Sequence, residues 1–147
     1  MSDIIIRQGT LKEVIALYPS IPELINPYRQ EDYEKRFRST NAYLILIAYE
    51  QSVPVGFKIG YERDSDGSFY SWMGGVSLSH RQHGIARLLL LEMENWCREK
   101  SYHSLRFKTR NSHTAMLRFA LANGFQISGF EPAEQLGQNR IWLQKSL

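Results

Sequence analysis

Arg81, Gly84 and Ala86 stand in an Arg-x-x-Gly-x-Ala spacing between an apolar stretch ending Val76-Ser77-Leu78 and a leucine-rich one. Strand, tight turn and helix in that order leave consecutive N–H groups unpaired at the helix start, where the dipole adds partial positive charge. Such a start is an anion site suited to phosphate. Gly84 and Ala86 bear little or no side chain, so a pyrophosphate can come close to the backbone. Neither common nucleotide loop is present. A Walker loop needs Gly-Lys-Ser/Thr where this chain has Gly84-Ile85-Ala86, and a Rossmann turn needs three glycines and a later acid. His80 and His83 flank the turn without an acid or Cys/His partner at supporting spacing, so no metal site is expected.

The elements that must hold this turn can be read along the chain. Ile4-Ile5-Ile6 is a β-branched run, a first strand. Thr10 can cap a helix over 11–18, which Pro19 and Pro22 end. A second, exposed helix is expected over 31–38, with Tyr28, Tyr33 and Phe37 at roughly helical spacing. The strand at 42–50 is apolar on both faces and therefore central. The next spans 53–62, with Gly56 and Gly60 as weak points. A third spans 68–78, where Gly74-Gly75 predicts a bulge that frees backbone groups. The main helix covers 86–100, with Ile85, Leu88, Leu89, Met93 and Trp96 on one side and Arg87, Glu94 and Arg98 elsewhere. Glu92 falls within the apolar side, where an Arg or Lys partner is expected, and Cys97 should pack as a small apolar residue. A strand over 103–108, a helix over 112–123 capped by Asn111 or Ser112 and stopped by Gly124, and strands over 125–130 and 140–144 complete the series. The polar loop 132–139 is expected to be mobile.

Composition narrows the class. The 147 residues suit one domain, 1–147, with a real core, and 43% hydrophobic and 22% charged residues are ordinary for a globular chain. A net charge of +3 favours a polyanionic small ligand and is too dispersed for nucleic acid. One cysteine excludes an internal disulfide framework and suggests a reducing, cytoplasmic setting. Residues 1–7 lack the features of a signal peptide, and no apolar run reaches membrane-spanning length, so no membrane partner is expected.

The phosphate spacing resembles the acyl-CoA signature of the GCN5-related N-acetyltransferase (GNAT) family, Arg/Gln-x-x-Gly-x-Gly/Ala. Residues 115–125, ending in Gly124-Phe125, resemble that family's second CoA segment. The element order agrees as well, so the resemblance covers nearly the whole chain. It implies an α/β, GNAT-like (acyl-CoA N-acyltransferase) fold: a mixed, mostly antiparallel central sheet flanked by helices, with the fourth and fifth strands splayed. It implies acetyl-CoA as co-substrate, a primary amine as acceptor, no metal, and a homodimer as one assembly the family uses. Pantetheine would pair with main chain near Val76, Ser77 and Leu78. The turn from Gln82 through His83, Gly84, Ile85 and Ala86 to Arg87, with Arg81 before it, would hold the pyrophosphate. Asn111 would bond the pantetheine arm and Phe119 would line it. The first two helices and their loop would wall the acceptor, with Tyr28, Arg29, Tyr33 and Arg36 in reach.

The chain departs from that pattern at the proton-handling positions. The family often places a Tyr four residues before the Gly of Gly-Phe, where this chain has Ala120. A frequent strand Glu is replaced by Trp72. A thiol with pKa of about 8.5 leaves with little help, whereas a lysine-like amine, pKa about 10.4, must lose a proton before it attacks. Glu62, Tyr70 and His113 are the candidate bases. The expected reaction is direct acetyl transfer to an amine. The alternative is a non-catalytic acyl-CoA-binding or regulatory domain of the same fold, for which Ala120 and Trp72 speak.

Overall fold

A computed structural model describes residues 3–147, so Met1 and Ser2 of the N-terminal stretch lie outside the described residues. Seven strands, β1 (Ile4–Gln8), β2 (Tyr43–Glu50), β3 (Val53–Tyr61), β4 (Ser68–Val76), β5 (Ser104–Arg110), β6 (Gln126–Glu131) and β7 (Arg140–Ser146), form one sheet in the order β1-β2-β3-β4-β5-β7-β6. Four helices, α1 (Leu11–Leu17), α2 (Gln30–Arg38), α3 (Ile85–Glu99) and α4 (Thr114–Ala122), flank it. Every neighbouring pair is antiparallel except β4 and β5. Those two run parallel and pair only at Ser68–Ser104, Phe69–Leu105 and Tyr70–Arg106, after which they part. The sheet is therefore forked, as the family resemblance implies.

The doubly apolar β2 explains the layering. Leu44 and Leu46 face a core with Leu89, Leu90, Met93 and Cys97 of α3. Ile45 and Ile47 face a second core with Val14, Leu17 and Tyr33 of α1 and α2. Each fully buried Leu, Ile or Phe contributes about 1.5–3 kcal/mol relative to exposure. Gly60 lets α3 lie close: a Cβ there would stand 2.5 Å from the Phe69 ring and 3.0 Å from Met93.

Several expectations need correction. β4 bulges at Trp72, where the register passes from Ile59–Met73 to Gly60–Ser71, and not at Gly74-Gly75, which pair regularly with Lys58 and Phe57. Gly75 instead makes room for Ile21, whose Cδ1 would sit 2.9 Å from a Cβ there. The strand stops at Val76, and Leu78 lies 60% exposed in a short 3-10 turn, Leu78–His80. On α3, Leu90 is buried and Leu88 exposed. Glu92 is exposed, and Glu94 is the buried acid, 1% exposed and bonded to Lys145 Nζ at 3.0 and 3.1 Å. The sequence pattern misplaced these because β7, which supplies Lys145, reaches α3 only through the fold. His113, rather than Asn111 or Ser112, stands at the N-cap of α4. The 132–139 loop is tied down: Asn139 Oδ1 accepts from Ala133 N–H at 2.7 Å and Asn139 O from Asn111 N–H at 2.8 Å. Among the described residues no helix is long and apolar enough to cross a membrane.

Candidate functional site

The fork opens a cleft of about 740 Å³. Its walls are β4 from Ser71 to Val76, the turn into α3, Leu89 and Leu90 of α3, β5 from Phe107 to Thr109, and Met116, Phe119 and Ala120 of α4. Two backbone features add main-chain polar groups to walls that mix apolar and basic side chains.

The first is the turn. Gln82 and Gly84, with one residue between them, both have positive φ, +65° and +78°. Alternation of this kind turns successive N–H groups to one side, forming an anion-binding concavity. No side chain caps α3 among the described residues, and its N-cap is Gly84 itself. A Cβ on Gly84 would touch nothing within 4 Å, so glycine answers here to the positive φ rather than to crowding by the protein.

The second is the free edge of β4. Ser77 N–H donates to Val55 O at 2.8 Å, on the β3 side. Peptide groups alternate in direction along a strand, so the main-chain groups of Gly74 and Val76 face the opened side of the fork. Arg81 Nε donates to Val76 O at 3.1 Å.

The residues singled out from sequence divide accordingly. Val76, Arg81, Gln82, Gly84, Ile85, Ala86, Arg87 and Phe119 line the cleft, as does His113. Ser77, Leu78, His83 and Asn111 are not among its lining residues. Arg81 is engaged with Glu23, at 2.7 and 2.5 Å, which pushes its pKa up and holds the Glu23 carboxyl below its ordinary range. It thus buckles the turn to the segment after α1. Glu62 follows β3 and lies outside the cleft lining, accepting from Tyr102 Oη at 3.0 Å and Asn41 Nδ2 at 3.1 Å. Tyr70 is the last β4 residue paired to β5, packed with Tyr61 and Trp142, and burial raises its pKa. His80 lies 3.3 Å from Glu50, and among the described residues no group of three or more His, Cys, Asp or Glu could hold a metal ion. Cys97 is buried and its thiol is pushed up to about 12 by desolvation, so it is unreactive.

Lys58 escaped the sequence reading. It lies on β3 between Gly56 and Gly60, whose sites face α3, and it lines the cleft. Desolvation brings its ammonium from an ordinary value of 10.5 down to about 8, opposed by the charge of Glu94. It keeps intermediate exposure because the cleft opens beside it. A lone lysine amid the apolar 53–61 strand was the available signal.

A forked α/β sheet with an unsealed helix start inside the fork defines an acyltransferase-like architecture. Residues 11–125 match the acetyltransferase (GNAT) family model, and the chain belongs to that family. No curated protein sequence matches the chain. Among solved structures it is similar to Ard1 from Thermoplasma volcanium, with TM-score 0.80, 20% identity and coverage of 98% of this chain and 97% of that one. It is similar to a ribosomal-protein-alanine N-acetyltransferase from Brucella melitensis, with TM-score 0.76, 21% identity and coverage of 97% and 99%. It is also similar to the PaiA N-acetyltransferase from Thermoplasma acidophilum, solved in complex with coenzyme A, with TM-score 0.74, 18% identity and coverage of 99% of both chains.

Proposed function

We propose that the protein transfers an acetyl group from acetyl-CoA to a primary amine by direct attack. The observation that carries this is the unsealed start of α3 beside the open edge of β4. The N–H groups from Gln82 to Arg87 receive the diphosphate. The edge groups of Gly74 and Val76 pair with the pantetheine arm and polarise the thioester carbonyl, the geometry that stabilises a developing oxyanion. Phe107 and Phe119 supply apolar contact along the arm. The neutral amine nitrogen attacks the carbonyl carbon, the carbon–sulfur bond breaks, CoA leaves as thiolate, and the proton shed by the nitrogen passes to water in the open fork. Holding thioester and amine together provides most of the acceleration.

Tyr70 stands where β4 and β5 part, outside the cleft lining, and burial keeps its phenol protonated, so its proposed role is that of a hydrogen-bond donor rather than a base. Glu62, engaged by Tyr102 and Asn41, is the weaker of the two proposed catalytic residues. Lys58 is the ionisable cleft residue whose neutral form grows through pH 8.

Ala120, buried in the cleft wall without an ionisable group, favours a second reading: an acyl-CoA-binding domain without turnover. Incubation with acetyl-CoA and a panel of amines separates the two. Acetylated product supports the transferase; tight CoA binding with no product from any amine supports the binding domain; no binding heat with CoA overturns both.

A further inference from the structure

Beside the fork, on the sheet face that carries α1 and α2, β4, β5 and β7 set Tyr70, Arg106, Lys108 and Trp142 side by side. Tyr70 pairs in register with Arg106, and Lys108 with Trp142. Three cations crowd the Trp142 ring: Arg106 Cζ at 4.7 Å, Arg63 Cζ at 5.0 Å and Lys108 Nζ at 5.2 Å from its centroid. Arg63 also lies 5.2 Å from the Tyr70 ring, and Arg36 5.2 Å from that of Trp72.

Stacking on a ring uses the flat side of a guanidinium and leaves its N–H edge able to hold a carboxylate. Like charges gathered on one indole also repel, so an anion set between them relieves the group. The three carboxylates nearby, Asp64, Asp66 and Glu131, are spread over five cations once Arg36 and Arg140 are included. Asp64 and Asp66 stand 3.5 and 3.8 Å from Arg106 Nη1, and Asp64 stands 4.0 Å from Arg63. Glu131 accepts from Trp142 Nε1 and feels Lys108, Arg140 and Arg63 together. Arg36, Lys108 and Arg140 meet no carboxylate within 4.0 Å among the described residues. The Nε–H of Arg106 is buried without an acceptor. Lys108 and Trp72 line the fork, so this cationic, aromatic face opens directly onto it.

Resting on the acetyltransferase reading, we propose that the acceptor is an α-amine with an acidic side chain, whose side-chain carboxylate is held by Lys108 and Arg63 over the Trp142 ring while the amine enters the fork. A free acidic amino acid and a peptide with an acidic N-terminal residue share that chemistry.

The test compares matched acceptors: glutamate against glutamine, and peptides beginning with Glu or Asp against those beginning with Gln or Asn. The acid-to-neutral ratio of kcat/KM is read, because shared effects on CoA binding cancel in it. The wild-type ratio should be about tenfold or more and should fall with added salt, as charge-assisted contacts do. Lys108→Glu should bring it below one, and Arg63→Gln, which adds no charge, should lower it several-fold. Preference for the free acid or for the peptide identifies the source, and either supports the proposal. A wild-type preference for neutral or basic amines, or a ratio untouched by both substitutions, overturns the proposal alone. Turnover of no amine overturns the acetyltransferase reading and this proposal with it.

Discussion

α1 and α3 begin in opposite ways. Thr10 Oγ1 accepts from Glu13 N–H, and Glu13 reaches back to Thr10 N–H at 2.9 Å, so the start of α1 is sealed by its own side chains. Tyr49 Oη also donates to that carboxylate. α3 begins on a left-handed glycine with no capping side chain, and the partly desolvated ammonium of Lys58 lies in the same cleft. A sealed start contributes to stability, whereas an open one inside a cleft holds donors in place for something else. The difference separates a helix start closed for the fold from one left open to the proposed ligand.

Sealing α3 should produce the largest effect. Gly84→Asp puts a carboxylate where the diphosphate is to sit, and CoA affinity measured by calorimetry should fall by about 100-fold or more. Its melting temperature should fall by a few degrees, because left-handed strain of about 1 kcal/mol or more exceeds the few tenths that Asp gains over Gly at a helix start. Unchanged CoA affinity would remove the proposed site.

Lys58→Met probes the partly desolvated ammonium in the same cleft. The folded-state pKa lies below the ordinary value, so the charged lysine opposes folding fully below about pH 8, and this opposition fades as pH rises towards 10.5. The variant should therefore be about 1–2 kcal/mol more stable at pH 7, with the gain shrinking above pH 8 in denaturant titrations. A gain independent of pH would show that packing alone is responsible.

Opening α1 is the converse experiment. Thr10→Ala should cost about 1 kcal/mol of stability and leave CoA affinity as it is. A loss of CoA binding would erase the contrast between the two helix starts. Arg81→Ala should have the smallest effect. Its partner Glu23 is largely exposed, so the ion pair is worth at most about 1 kcal/mol, and CoA affinity should drop only a few-fold. A loss as deep as that of Gly84→Asp would mean that Arg81 contacts phosphate directly.

These contrasts mark what the chain reveals when read alone. Local signals carried the element order, the Thr10 cap, the doubly buried β2 and the Arg81–Ala86 turn, because each is written within a few consecutive residues. Long-range pairings were hidden. Nothing near Arg81 points to Glu23, 58 positions earlier, and nothing near Glu94 points to Lys145, 51 positions later. The bulge at Trp72 was displaced to Gly74-Gly75 because glycine pairs suggest breaks, whereas Gly75 here makes room for Ile21. The cationic ring around Trp142 was invisible because its members come from β5, β7 and the loop after β3, brought together only by the sheet order.

That β4 and β5 are joined by so few rungs has a mechanical consequence. The strands beyond the waist, with α4, form a jaw hinged on the rest of the molecule, and a molecule lodged in the gap stitches the jaws together. Amide exchange at Gly74 and Val76, whose groups face the gap, should therefore slow when acetyl-CoA is added, while β2, locked between two cores, stays unmoved. The protein would borrow its stiffness from the molecule lodged in its fork.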